Sequence, residues 1–217
     1  MTYGSNSFLR WAGGKSWLIS FLQELTSGLE YKNYYEPFLG GASVFLSLTP
    51  PKHVYLSDLN KDLIDTYIAV RDFPEDVIEH LLILINSEEE YYRIRSSCPK
   101  SSIEQAARFI YLNHTSYNGL YRVNKSGEYN VPYGFRVSRG YDVDKIRAAS
   151  ERLKNTKISC EDFAERKYRI KEHDLVFLDP PYTVSHNKNG FIEYNQKLFS
   201  LSDQYRLRKF IDYISNR

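Results

Sequence analysis

Short apolar runs alternate along this chain with stretches of helical periodicity, and that alternation narrows the choice of fold more than any other feature. Tyr34-Tyr35-Glu36-Pro37-Phe38 and His53-Val54-Tyr55-Leu56 read as strands, and so do residues 157–160 and 174–179. Helical patterns cover residues 15–25, 43–48, 60–71, 143–153 and 202–215. Strands separated by helices cannot pair as hairpins, so the expected fold is α/β with a parallel sheet. One interval breaks the rhythm. Residues 74–86, 88–96 and 103–112 read as consecutive helices, followed by a polar, aromatic, glycine-containing stretch over residues 113–140. The expected organisation is therefore a sheet domain made of residues 1–72 and 142–217, with residues 73–141 inserted. A doubly wound sheet would add strands after the helix at residues 202–215, so its C-terminal strands are expected to be missing here.

Length and composition set the outer limits. A chain of 217 residues, 42% hydrophobic and 26% charged, can bury a substantial core and is not a disordered polymer. The net charge of +2 announces no polyanionic partner, so any nucleic-acid surface must be local. Cys98 and Cys160 stand far apart with no CxxC spacing. That excludes a disulfide scaffold and a cysteine-based zinc site, and both are expected to be reduced and buried. His114, His173 and His186 lack metal-ligand spacing, so no metal site is expected. No run reaches the ~18 apolar residues of a membrane span, and the first residues lack a signal-peptide core. The chain reads as cytoplasmic. Nothing in it separates a monomer from a weak dimer.

Four segments carry chemistry. The sharpest is Asp174-Leu175-Val176-Phe177-Leu178-Asp179-Pro180-Pro181-Tyr182. In an open α/β sheet, ligands sit beyond the carboxyl ends of the strands, so this run delivers Asp179 to the mouth of a crevice. The prolines fix φ and remove backbone donors, which leaves carbonyls such as that of Pro180 able to face a ligand. Tyr182 offers a flat face for stacking. The second segment is Glu36-Pro37-Phe38-Leu39-Gly40-Gly41-Ala42, where glycines allow close backbone approach to a ligand. Asp58 ends the next strand 18 residues after Gly40, where an acid can hold ribose hydroxyls.

The third segment is Leu9-Arg10-Trp11-Ala12-Gly13-Gly14-Lys15-Ser16. Its Gly-Lys-Ser does not make a phosphate-binding loop, because Leu9 stands where the first glycine is needed and no strand precedes it. The fourth lies in residues 113–140, with turn signals at Asn118-Gly119 and Ser126-Gly127. Four basic residues there (Arg122, Lys125, Arg136, Arg139) face one acid, Glu128, a local net of +3. Basic and aromatic residues interleaved on a loop-rich surface suit phosphate contacts and stacking on bases.

Taken in order, these segments resemble the Dam-type (D12 class) DNA adenine-N6 methyltransferases over nearly the whole chain. The resemblance implies a Rossmann-like sheet that binds S-adenosylmethionine, with an inserted, mostly helical target-recognition domain for double-stranded DNA. It implies that Trp11 and Lys15 line the cofactor site, Lys15 near the cofactor's carboxylate. Pro37 and Gly40 would pack on the cofactor, Asp58 would hold its ribose and Phe163 would lie by its adenine. Asp179 would border the cofactor and, with Pro180 and Tyr182, form the catalytic motif. Tyr117, Asn118, Leu120, Arg122 and Pro132 match the family's recognition hairpin. There the aromatic wedges beside a flipped base and the arginine reads a guanine, which fits a GATC target. Cytosine-N4 enzymes usually carry Ser, and protein-glutamine enzymes Asn, where this chain has Asp179. A catalytically inactive DNA-binding remnant of such an enzyme is the competing reading, motivated by the missing strands.

Overall fold

The computed structural model describes residues 7–49, 51–124, 126–135, 141–181 and 199–216. Four parallel strands form one sheet in the order β3-β2-β1-β4: β1 (Asn33–Glu36), β2 (His53–Asp58), β3 (Thr156–Cys160) and β4 (Leu175–Val176). Tyr34 pairs with Val54 on one side and Leu175 on the other, so β1 is central. The chain moves outward from β1 to β2 to β3 and then crosses to the far side of β1. Connections therefore diverge between β1 and β4, and in open α/β sheets ligands bind beyond the strand carboxyl ends at such a point.

Alternation along the strands sorts side chains to two faces. Tyr34, Val54, Leu56, Ile158, Leu175 and Phe177 join one apolar cluster, whereas Tyr35, Tyr55, Val176 and Leu178 join another. The first face is covered by α2 (Lys61–Asp72) and α6 (Val143–Leu153), which pack on each other. On the second, α7 (Leu201–Ser215) lays Phe210, Leu207 and Ile214. Before β1, a short 3-10 turn over Ser16–Leu18 leads into α1 (Ile19–Thr26). Residues 73–135 contribute α3 (Pro74–Leu82), α4 (Glu88–Ser96) and α5 (Ser102–Thr115) to the first cluster, with α5 packed on both α2 and α3. A hairpin-like stretch follows, tied by antiparallel bridges Ser116–Tyr133 and Val123–Tyr129.

Three expectations need correction. Residues 43–48 make hydrogen-bonded turns rather than a regular helix, with Leu46 N donating to Ala42 O and Leu48 N to Val44 O. The prolines at 50 and 51 leave no length to propagate a helix. The Arg152 guanidinium donates to the carbonyls of Phe45 and Leu48, and Gln23 to that of Ser47. The α3 helix stops at Leu82, short of residue 86, because Ile83 and Ile85 face solvent and supply no buried stripe. Cys98 and Cys160 are both free and exposed rather than buried. Cys98 sits in the α4–α5 connection, and Cys160 ends the outermost strand of the described sheet.

Strand β4 is also shorter than the apolar run that encodes it. Phe177 N still donates to Tyr35 O at 2.9 Å, but Pro37 has no N–H for a further rung. The chain from Leu178 to Pro181 therefore leaves the ladder, and Asp179 is carried beyond the sheet.

Candidate active site

Three loops leave the carboxyl ends of β1, β2 and β4, and their polar groups meet. Lys15, from the segment before α1, places Nζ 2.6 Å from Asp179 Oδ2 and donates to Gly13 O at 2.7 Å. Both side chains are largely shielded from water. No described group donates to Asp179 Oδ1. Asp58 ends β2. Its Oδ2 accepts from Gly40 N at 3.0 Å and its Oδ1 from Asn60 N at 2.9 Å. Burial pushes the Asp58 carboxyl above the ordinary aspartate range, against the backbone N–H groups of Asn60, Gly40 and Leu59 that favour its charged form.

Trp11 explains the paired glycines. A Cβ on Gly40 would lie 2.9 Å from Trp11 Cδ1, and one on Gly41 would lie 2.8 Å from Trp11 Cβ. Gly40 also holds φ +47°, in the left-handed region. Tyr67 of α2 donates its hydroxyl to Gly40 O at 3.0 Å, and Leu39 N donates to Ser57 O. The glycine loop is thus clamped to β2 below and roofed by the indole above.

Phe163 and its neighbours form a second group. Phe163 stacks on Phe38 with centroids 5.3 Å apart and meets Phe210 edge-on at 5.7 Å. Pro37 and Phe163 border one small cavity with Asp162 and Arg166. Phe163 is itself buried, and its ring belongs to the second core.

The hairpin residues also come together. Tyr117 N donates to Pro132 O at 2.9 Å, and Leu120 N to Tyr117 O at 3.2 Å. Asn118 takes φ +54°, which an Asn-Gly turn tolerates. Tyr117 and Pro132 are exposed and Leu120 is half-buried. Arg122 is held by Asn130, with Nε 2.7 Å from Oδ1 and Nη2 3.0 Å from the carbonyl. The Asn113 side chain exchanges hydrogen bonds with the backbone of Arg10, and His114 Nε2 contacts Phe8 O at 2.7 Å. These bonds tie the base of the hairpin to the segment that carries Trp11. Tyr182 lies outside the described residues, as do Lys125, Arg136 and Arg139. Pro180 follows Asp179 off the sheet.

Residue reasoning from the sequence missed two acids. Glu36 is buried at the end of β1, accepts from the Tyr34 hydroxyl at 2.7 Å and is bonded by the Phe45 amide. Desolvation raises its pKa to about 8, and the nearby Asp179 charge adds to the rise. Asp162 accepts from Ala164 N and from Arg206, whose guanidinium also lies 4.9 Å from the centre of the Phe163 ring. An acid flanked by strand aromatics was the available signal for Glu36. Asp162 had none, because Arg206 comes from α7, 44 residues away.

Among the described residues no three His, Cys, Asp or Glu side chains gather as a metal site, and no helix is long and apolar enough to cross a membrane. The model of the D12 class N6 adenine-specific DNA methyltransferase family matches residues 11–217. The chain is 37% identical to the Type II methyltransferase M.MjaIII of Methanocaldococcus jannaschii, across 97% of this chain and 80% of that protein. It is 38% identical to the Type II methyltransferase M1.LlaDCHI of Lactococcus lactis subsp. cremoris, across 93% and 74%. With the DNA adenine methylase of Escherichia coli (strain K12) the identity is 31%, across 98% and 78%. The motifs, the parallel strand order and these similarities agree: the chain belongs to the D12 class of N6 adenine-specific DNA methyltransferases.

Proposed function

We propose that this chain transfers a methyl group from S-adenosylmethionine to N6 of adenine within a short double-stranded DNA sequence, after flipping the base into the crevice. The observation that carries the reading is the convergence of sequence-remote motifs at the β1–β4 divergence: Lys15 on Asp179, Trp11 on Gly40, and Gly40 on Asp58.

The residues present suit a nucleoside with a charged tail. Asp58 is fixed by backbone N–H groups on both oxygens, and each oxygen keeps a lone pair for a ribose hydroxyl. Trp11 covers the backbone of Gly40 and Gly41, and Pro37 borders the small cavity beside Phe163, so both offer apolar surface next to Asp58. In this reading Phe163 and Asp162, beside Pro37, would border the cofactor's adenine. Lys15 supplies a cation for a carboxylate. When bound, S-adenosylmethionine supplies an electrophilic methyl group.

The rest is the work of the chain's own residues. Adenine N6 is a weak nucleophile because its lone pair is delocalised into the ring. Asp179 Oδ1 and the Pro180 carbonyl are suited to accept its two N–H hydrogens, favouring a pyramidal nitrogen. The carboxylate then stabilises the positive charge that develops on nitrogen as the bond forms. Lys15 orients that carboxylate from the opposite oxygen. Extruding the base costs a few kcal/mol, part of which the exposed Tyr117 would offset by filling the gap.

Residues 73–141 act in this reading as the target-recognition unit. Arg122 reads a guanine, and Leu120 and Pro132 touch base edges. A bidentate arginine–guanine contact discriminates by about 1–3 kcal/mol, and the set of residues fits GATC. The test is to incubate the chain with S-adenosylmethionine and unmethylated genomic DNA and to map N6-methyladenine at base resolution. Marks confined to one short motif support the function, and GATC supports the hairpin assignment. DNA binding without marks would overturn the catalytic reading in favour of a binding remnant.

A further inference from the structure

Tyr121 stands immediately before Arg122, yet its side chain belongs to the other half of the molecule. Its ring stacks on Trp11 with centroids 5.8 Å apart and planes 26° from parallel. Phe109 of α5 lies against both, 5.3 Å from Tyr121 and 6.5 Å from Trp11. The hydroxyl donates to Asp62 Oδ2, in the first turn of α2, at 3.0 Å. Tyr129, across the hairpin, meets the Tyr121 ring edge-on at 5.8 Å and donates its own hydroxyl to Leu120 O at 2.6 Å. One side chain thus touches the indole over the glycine loop, the first turn of the helix after Asp58, and the opposite arm of the hairpin.

We infer that Tyr121 is a positioning residue for sequence discrimination: it fixes the hairpin, and with it Arg122, in a set register against the cofactor-binding loops. The inference rests on the hairpin reading given above. The geometry gives it content. Arg122 follows Tyr121 in the chain, so fixing Tyr121 against Trp11 and Asp62 restricts where the Arg122 backbone can lie. The Arg122–Asn130 bonds preserve the guanidinium's relation to the hairpin, but nothing in them relates the hairpin to the sheet. Asn113 and His114 tie the hairpin's base to the segment that carries Trp11; Tyr121 adds a stack and a charge-assisted hydrogen bond immediately beside Arg122. Trp11 keeps Phe109 and the glycine floor without Tyr121, so the cofactor wall survives its loss.

The full chain, loaded with S-adenosylhomocysteine, would select duplexes from a randomised pool, alongside the Arg122→Ala, Tyr121→Ala and Tyr121→Phe variants. Cofactor-product affinity would be measured for each by calorimetry. Arg122→Ala is expected to lose the preference for one guanine. Tyr121→Ala should lose about tenfold of that same preference, within the range a bidentate guanine contact supplies. Its S-adenosylhomocysteine Kd should stay within about twofold of the parent. Tyr121→Phe keeps the stack and loses the Asp62 bond, so its loss should be smaller and at the same position. An unchanged motif in Tyr121→Ala, with Arg122→Ala altered, overturns the inference and leaves the hairpin reading intact. Equal motifs in all chains, or no motif selected by the parent, would remove the hairpin reading and the inference with it. Weakened cofactor binding with an unchanged motif would make Tyr121 a structural support only.

Discussion

Glu36 is the residue whose surroundings most constrain its chemistry. Its carboxyl is buried, receives the Tyr34 hydroxyl and stays protonated up to a pKa of about 8. In the unfolded chain it would ionise near 4.5. Between those values the unfolded state has released a proton that the folded state still binds, so stability falls as pH rises. The contribution is whole below about pH 4.5 and gone above about 8. The slope over that window is up to about 1.4 kcal/mol per pH unit. Urea denaturation across pH 5–8 is expected to show this decline in the parent chain and a flatter profile in Glu36→Gln. A parallel decline in both would assign the pH dependence elsewhere. The sequence marked Gly40-Gly41 as a close-approach point between a strand and a turn, and the structure fills that approach with an indole. What the sequence could not show is that Trp11, some 29 residues earlier, is the group that excludes a Cβ there.

At the level of elements, periodicity found the long helices and failed where context competes with it. The α4 and α6 helices have the bounds that their patterns predict, and α2 (Lys61–Asp72) lies within one residue of the pattern over 60–71. Asn60 accepts from Leu63 N at 3.1 Å and donates its own N–H to Asp58 Oδ1, so one residue caps α2 and steadies Asp58. Asn60→Ala should cost about 1 kcal/mol of stability, read as a lowered urea midpoint with unchanged slope. A loss too small to resolve would mean the cap is redundant. The turns at 43–48 are limited by the proline that follows them, whereas the short β4 went unread because its limit lies on another strand: Pro37 on β1 ends the β4 ladder. The hairpin's two Asn/Ser-Gly turns were visible, but the Asn113–Arg10 bonds that anchor it span 103 residues and leave no local trace.

For the whole molecule, the strand order places three motif-bearing loops at one edge of the sheet, and the continuous first core joins that sheet to α3–α5. The order of motifs along the sequence predicted the family; the parallel order β3-β2-β1-β4 supplies the reason those motifs can meet. The central claim is that Asp179 acts on the adenine amino group rather than merely holding Lys15. Single-turnover methyl transfer, measured beside S-adenosylhomocysteine affinity, tests it in Asp179→Ala and Lys15→Ala. Asp179→Ala should lose transfer by at least about a hundredfold while cofactor-product affinity changes less than about tenfold. Lys15→Ala should divide its loss between the two. Transfer by Asp179→Ala within a few-fold of the parent chain would contradict the account.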